Sequence, residues 1–500
     1  MGGNNLCMYN AIMNQNEYIV YTLLGNGNSP NVKLTPEGLS PLHKAVEYRN
    51  VNITSLLLSR GADANSKDIF DFGTLHAVSM FAGIRDLFNT RDKIEDVFCI
   101  RNYNYAPLEK DHDIRTLEIA DMLLTSKANI NMSTKHGSTP LHIAVKYKNY
   151  IMVKFLLERG ADINMLDYKD NTPIFYSCYY GDMDISKMLI DYGAKINLIN
   201  KCGCSPLHYA VSVGNEDLVI LLLLKNSYLN VIDVNHKSVV HKAVDIRNPR
   251  ILKILLHSGA NCNIKDINGY TALHYACKIN DKVFTSMLLC HGADPNSKNK
   301  HYRTPIYEAI MYGCPDNVKE MLFSNADVNV VDENGKTPLS FFPNIDNKSI
   351  RLLISHIVIH DFYCNKKNYI SLGVEINKSV IQNNKEYDFI KRRCDEEILY
   401  LRNITFHSGY NAEIFIKKHI NINLLSKFIK HPKLLNIENK LNFYSDIFKK
   451  SLSLAIHRSE LLENAVSSIG SIKSFSILPN SIKYFILEML TNEELMILCN

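Results

Sequence analysis

A spacing of 33 residues runs from the start of this chain to about residue 365, and no other feature restricts its possible folds as strongly. With Thr271 as zero, steps of 33 land on Ser40, Gly73, Ala106, Thr139, Thr172, Ser205, Ser238, Thr304 and Thr337. Three residues later stand His43, His76, Glu109, His142, Phe175, His208, His241, His274, Tyr307 and Ser340. Twenty-five residues after zero the frame meets Asn65, Asn131, Asn164, Asn197, Asn230, Asn263, Asn296 and Asn329, with Phe98 interrupting. One more unit starts upstream at Leu6, with Ala11, Leu23, Leu24, Gly27 and Asn31 in register, which makes about eleven units. A fixed period of this length specifies stacked supersecondary units, each touching only its neighbours.

The content of one unit follows from its residues. In Thr139 to Asn164 a hydroxyl residue caps a first helix whose opening turn accepts Pro140, because a proline there loses no needed donor. Ala144 is small enough to let a paired helix come close. After a turn at Tyr147 to Asn149, a second helix carries Val153, Leu156 and Leu157 on one stripe, and Gly160 ends it. Ala161 to Asp170 is too polar and too short for another helix and forms the loop to the next unit. Such a unit cannot bury its apolar stripe alone, whereas a stack makes a continuous core. The fold class is therefore all-α: a solenoid, with a smaller helical domain behind it.

Thr139-Pro140-Leu141-His142-Ile143-Ala144 is the T-P-L-H-x-A pattern, and Ser40 to Ala45, Ser205 to Ala210 and Thr271 to Ala276 come close to it. Over roughly seven tenths of its length the chain resembles the ankyrin-repeat family. That resemblance implies units starting near 6, 40, 73, 106, 139, 172, 205, 238, 271, 304 and 337, filling residues 1–365. The units at 73 and 106 are degenerate: Thr90 and Arg91 stand where an apolar pair belongs, and Glu109 and Asp111 replace the histidine and alanine. A joint or displaced loop is expected near residues 80–112, with sequence decay as the alternative.

Composition removes several function classes. The chain is 46% hydrophobic and 21% charged, enough apolar material for a large core. Its longest aliphatic run, Leu218 to Leu224, is far shorter than a bilayer span and sits where a second helix belongs. The start, Met1 to Asn5, has no basic segment, and Met13 to Tyr18 is polar where a signal peptide needs an apolar core. Twelve scattered cysteines suit reduced thiols, and Cys202-Gly203-Cys204 lacks the further ligands of a zinc site. Residues 366–500 hold 19 Lys and Arg against 14 Asp and Glu, which accounts for the net charge of +5 and leaves the repeats balanced. No basic stripe for nucleic acid emerges, since Lys391-Arg392-Arg393 is followed at once by Asp395, Glu396 and Glu397. Catalytic, cofactor-binding and metal-ligating residues are all absent from this reading. The histidines recur once per unit, about 10 Å apart, too far for shared coordination at ~2 Å, so their expected role is hydrogen bonding to backbone within the stack.

Binding function then falls to the positions that the pattern leaves free. The loop tips carry Ile69 and Phe70, Tyr168 and Lys169, Lys201 and Cys202, Ile267 and Asn268, Lys300 and His301, Glu333 and Asn334, and they change from unit to unit while the frame does not. A bespoke protein-binding surface has this signature. No small-molecule substrate or membrane partner is indicated.

After Thr337-Pro338-Leu339 the period decays through Phe341, Phe342 and Pro343 and a premature pair at Leu352 and Leu353, as expected of a capping unit. Residues 366–476 form a helical linker with helices expected over Tyr387 to Leu401 and Glu413 to Lys430. In residues 477–500, Leu478-Pro479 opens a helix with Ile482, Phe485, Ile486, Met489 and Leu490 on one stripe, and Thr491 to Glu494 is a capping box for a second short helix with Leu495 and Leu498. By patterning alone this pair either closes the preceding domain or docks in a partner's groove. Leu478-Pro479, Ile482, Ile486-Leu487, Leu490, Leu495 and Leu498-Cys499 resemble a shortened F-box, and its place behind the repeats is similar to the PRANC domain of poxvirus ankyrin proteins. The richness in Asn, Ile, Lys and Tyr, without any Trp, fits an avian poxvirus.

This resemblance implies a viral substrate adaptor, not an enzyme. The repeats would hold an unidentified host protein, while Leu478, Pro479, Ile482, Ile486, Leu487, Leu490, Leu495 and Leu498 would contact the Skp adaptor of a host SCF-type cullin-RING ubiquitin ligase. The implied location is the host-cell cytoplasm, with the nucleus open, and the implied purpose is immune evasion or host range. The alternative is an ankyrin decoy that sequesters a host signalling protein without a ligase.

Overall fold

The computed structural model describes residues 3–80, 112–341, 347–364, 371–405, 412–416, 434, 437 and 440–470, arranged in two compact units, Met1–Ile267 and Asn268–Asn500. Among the described residues the regular elements are helical, as the period requires.

The first unit stacks seven helix pairs: α1 Gly3–Met13 with α2 Glu17–Gly25, α3 Pro41–Glu47 with α4 Val51–Ser59, α5 Thr74–Met80 with α6 His112–Thr125, α7 Pro140–Lys146 with α8 Tyr150–Glu158, α9 Pro173–Tyr179 with α10 Met183–Asp191, α11 Pro206–Val213 with α12 Glu216–Leu224, and α13 Val239–Asp245 with α14 Pro249–His257. Local chemistry sets each boundary. The Thr139 hydroxyl accepts from the His142 N–H while the Thr139 N–H donates to His142 Nδ1, which closes a capping box around Pro140. Asn149 caps α8 by accepting from the Met152 N–H at 2.9 Å. Val153 and Leu156 are fully buried, Leu157 nearly so, and Gly160 adopts a left-handed φ of 81° just past the helix end.

One layer is interrupted. Helix α5 opens the Gly73 frame, and it packs against α6, which begins only at His112. Hydrogen bonds report the same insertion. His142 Nε2 reaches the Asn171 carbonyl 29 residues on, but His76 Nε2 reaches the Ser138 carbonyl 62 residues on, one period more. Asn65 likewise holds Asn129 and Lys127, 64 and 62 residues ahead. The intervening stretch is one period long, which is how the register survives it. Thr90, Arg91, Glu109 and Asp111, on which the degeneracy of units 73 and 106 rests, lie outside the described residues.

The second unit continues with α15 Ala272–Cys277 and α16 Lys282–Cys290, α17 Pro305–Met311 and α18 Pro315–Phe323, then a short α19 Pro338–Phe341 and a long α20 Asn347–Cys364. Beyond the frame, α21 Leu372–Asn383 packs on α19, and α22 Lys385–Asn403 packs across α20 and α21. Asn377 anchors this addition: its side chain is fully buried, its Oδ1 accepts from the Thr337 hydroxyl at 2.6 Å, and its Nδ2 donates to the Val328 carbonyl at 3.1 Å. Gly373 makes the approach possible, because a Cβ there would stand 1.8 Å from the Asn329 carbonyl oxygen. Helix α22 covers the expected Tyr387 to Leu401. Over the expected Glu413 to Lys430, a 3-10 turn spans Ala412–Phe415 and residues 417–433 lie outside the described residues. Helix α23 Ser445–Gly470 completes the unit.

Candidate protein-interaction surface

Between layers the loop is a two-legged finger, and one residue shapes most of them. Five positions before the frame's zero stand Asp68, Asp167, Asn200, Asp233, Asn299 and Asp332, and each side chain accepts backbone N–H groups two and four residues ahead. This local turn replaces bonds that a helix or sheet would otherwise supply. The Asp or Asn recurs in the sequence at the same period of 33 as the His, and that spacing is the signal that marks it. Two residues before zero the chain turns left-handed: Gly203 has φ 72°, and a Cβ on it would meet Asp233 and Val234 backbone at 2.8 Å.

Fingers are stitched to one another through their main chains. In the first unit Ile69 donates to Glu37, Lys135 to Phe70, Tyr168 to His136, Lys201 to Lys169, Val234 to Cys202 and Ile267 to Asn235, all at 2.9–3.0 Å. In the second, Lys300 donates to Asn268 at 3.0 Å and Glu333 to His301 at 3.2 Å. The predicted tips are thus brought into two ladders with their backbones tied and their side chains outward. Ile69, Tyr168, Lys169, Lys201, Cys202, Ile267, Asn268, Lys300, His301, Glu333 and Asn334 are exposed, and Phe70 is half-buried. His301 and Glu333 already face each other, Nδ1 to Oε1 at 2.6 Å.

The recurring His and Asn provide the rigidity beneath the tips. His43, His76, His142 and His274 reach the next layer's carbonyls through Nε2 at 3.0–3.2 Å. Because the Thr139 N–H can only donate, His142 holds a lone pair at Nδ1 and its proton at Nε2. Burial lowers His43, His76, His142 and His208 from the ordinary 6.5 to about 4, so they remain neutral. Where the frame lacks histidine, the cap suffers: the Thr172 and Thr304 hydroxyls, beside Phe175 and Tyr307, are buried without a partner. Tyr307 still bridges layers, its hydroxyl donating to the Lys336 carbonyl at 2.8 Å. The Asn works similarly at the other edge in several layers; Asn197 accepts from the Tyr228 N–H at 2.8 Å and donates to the Asn226 carbonyl, whereas Asn329 accepts from the Asn377 side chain.

Burial raises the Cys204 thiol to about 11, the reverse of an activated nucleophile. Among the described residues no three His, Cys, Asp or Glu converge as a metal site.

At the other end of the second unit, the Glu397 carboxylate on α22 accepts from the backbone N–H groups of Asn442, Phe443 and Tyr444 at 2.8–3.2 Å, capping α23 from outside. Tyr444 is fully buried and its hydroxyl donates to the Ser355 carbonyl at 3.4 Å. Asp446 pairs with Lys319 at 2.6 Å, and the Lys450 ammonium lies 4.2 Å from the Phe323 ring centroid. Helix α23 is therefore tied to α18, and Tyr444 just ahead of it reaches α20. The candidate adaptor contacts Leu478, Pro479, Ile482, Ile486, Leu487, Leu490, Leu495 and Leu498 lie outside the described residues.

Comparison with known families agrees with the period. The family described as ankyrin repeats (3 copies) matches residues 3–68, 164–237 and 240–332, ankyrin repeats (many copies) matches 123–174, and the PRANC domain matches 408–500. Among curated proteins, the fowlpox virus (strain NVSL) ankyrin repeat protein FPV230 is 54% identical over 154 residues, which is 31% of this chain and 82% of that protein. Fowlpox FPV231 is 44% identical over 20% of this chain and 41% of its own length, and FPV024 is 29% identical over 36% and 30%.

Proposed function

We propose that this chain, which belongs to the avian-poxvirus ankyrin-repeat proteins with a C-terminal PRANC domain, is a substrate adaptor: its repeats hold a host protein, and its F-box-like segment recruits the Skp adaptor and cullin of a host SCF-type ubiquitin ligase. Ankyrin repeats are protein-interaction modules and the PRANC domain is F-box-like, so both matched families act by binding partners. The observation that carries the proposal is the PRANC match over 408–500, with the start of α23 in that region clamped by Glu397 and the helix paired to α18. Such docking favours tethering, in which a bound protein is kept near the ligase and effective concentration replaces any chemistry by this chain. On this reading the chain is not an enzyme, takes no cofactor, and works in the host cytoplasm or nucleus for immune evasion or host range.

The test compares host-cell pull-downs with full-length protein, a version cut after Ser476, and one carrying Leu478→Ala, Pro479→Ala and Ile486→Ala. Skp adaptor and cullin recovered by the full chain alone support recruitment. A host protein recovered equally by all three, with no ligase component, would refute it in favour of a decoy.

A further inference from the structure

On the outward side of the second helices one layer departs from the frame. Ile220 and Leu224, one turn apart on α12, are 40% and 75% exposed, with half-buried Leu221 and Leu223 between them. The second helices that pack against α12 on either side hold polar, exposed residues at these two places: Lys187 and Asp191 on α10, Lys253 and His257 on α14. One layer further on, α8 holds Lys154 and Glu158. Stacking therefore does not require apolar residues here. A single exposed leucine is ordinary, but an outward turn made wholly of aliphatic side chains marks an interaction face.

We infer that this face is covered by α12 of a second copy of the chain, the two helices antiparallel about a two-fold axis that runs along the stack and crosses between Ile220 and Leu224. The order of residues carries the choice of partner. Such an axis exchanges places four residues apart, so Ile220 meets Leu224 of the second copy and Leu221 meets its Leu223. In the next layer the same exchange sets Lys187 opposite Asp191, and in the layer after it Lys154 opposite Glu158, each twice by symmetry. On the other side, Lys253 with His257 adds no opposite charge. The alternative two-fold arrangement, with parallel helices, brings α10 to α14 and so Lys187 to Lys253, which repel. Charge thus selects the antiparallel pair.

Both acids already have a neighbour in their own chain: Glu158 lies 3.9 Å from Lys154, and Asp191 3.8 Å from Lys225. These side chains are about half exposed, where an ion pair contributes little, so they can exchange partners at small cost. One apolar turn flanked by ion pairs is smaller than a standard interface of about 1,200 Å² or more, and the pairing is accordingly weak and reversible. A pair carries two finger ladders, which makes the proposed adaptor bivalent toward clustered targets; the pairing itself does not rest on that reading.

Sedimentation velocity on the full-length chain, from about 1 to 100 µM, tests the inference. The expected mass average rises from one chain toward two. Ile220→Lys with Leu224→His gives α12 the residues that α14 carries at those places, so the thermal melt should not change while the dimer dissociation constant rises at least about tenfold. Lys187→Asp alone and Asp191→Lys alone each set like charges opposite one another and weaken pairing at least about threefold; an equimolar mixture of the two variants recovers it, because each copy then meets its opposite. A monomer at every concentration, a dimer indifferent to the α12 substitutions, or a mixture that pairs no better than its components overturns the inference. A monomer that instead floats with phosphatidylserine vesicles overturns it too and makes the face a membrane contact. Ligase recruitment is read separately by the pull-down, so failure of one does not imply failure of the other.

Discussion

Acidification from pH 7.5 to 5.0 should destabilise the first unit strongly, through four buried imidazoles. His43, His76, His142 and His208 have folded values of about 4, against about 6.5 when exposed in the unfolded chain. The folded value is the lower, so between the two the unfolded chain binds more protons, and stability falls as pH drops through 6.5 toward 4. At pH 5.0 the difference amounts to about 2 kcal/mol per histidine, or about 8 kcal/mol for the four if the unit unfolds together. That is comparable with the whole stability of an ordinary domain, about 5–15 kcal/mol. Burial raises the Asp68 carboxyl, which acts in the opposite sense, but it is one group against four. Urea titrations followed by far-ultraviolet circular dichroism at pH 7.5, 6.5 and 5.0 measure the loss, and staying at pH 5.0 or above leaves ordinary carboxylates ionised. His142→Gln cannot titrate, so its curve should flatten by about 2 kcal/mol relative to wild type. Stability at pH 5.0 within about 1 kcal/mol of that at 7.5, or an unchanged pH slope in His142→Gln, would refute the assignment of neutral, interlayer-bonded histidines.

Four further substitutions probe the scaffold. Gly203→Ala combines a left-handed φ with a Cβ 2.8 Å from the next finger, and should cost about 2–4 kcal/mol, whereas Gly38→Ala, left-handed but with 3.7 Å of room, should cost about 1 kcal/mol; equal losses in thermal melts would show that the finger contact is not tight. Asn197→Ala removes both bonds to the next layer and should cost about 1–2 kcal/mol, with faster hydrogen exchange at the Tyr228 amide; unchanged protection there would count against the bridge. Glu397→Ala leaves three N–H groups ahead of α23 without their acceptor, and faster exchange at Phe443 and Tyr444 is expected, with a loss of about 1–2 kcal/mol. Exchange unaffected by that change would detach α23 from α22.

The histidine role was legible because a period exposes it: a residue type recurring every 33 positions must meet the same neighbours each time. The asparagines recur as regularly, but their interlayer bonds are visible only in the structure. Tip positions were legible as what the period leaves free. The finger-shaping Asp and Asn carry the same periodic signal, but a turn-forming role needs the backbone geometry to show it. What no period could show was that α6 closes the layer opened by α5, since an insertion one period long leaves the frame intact. Nor could it show α21 and α22, which lie beyond the period and dock through Asn377, Gly373 and Glu397, single residues without repetition.

By itself the amino-acid sequence determined the unit, its caps, its apolar stripe and the bonds between neighbours, because in a stacked fold these are local or fall one period away. Tertiary structure alone decided which helix completes the interrupted layer and how the last layers receive α21, α22 and α23. Those outcomes depend on contacts between residues without a fixed spacing, as between Asn377 and Thr337 or Glu397 and Phe443.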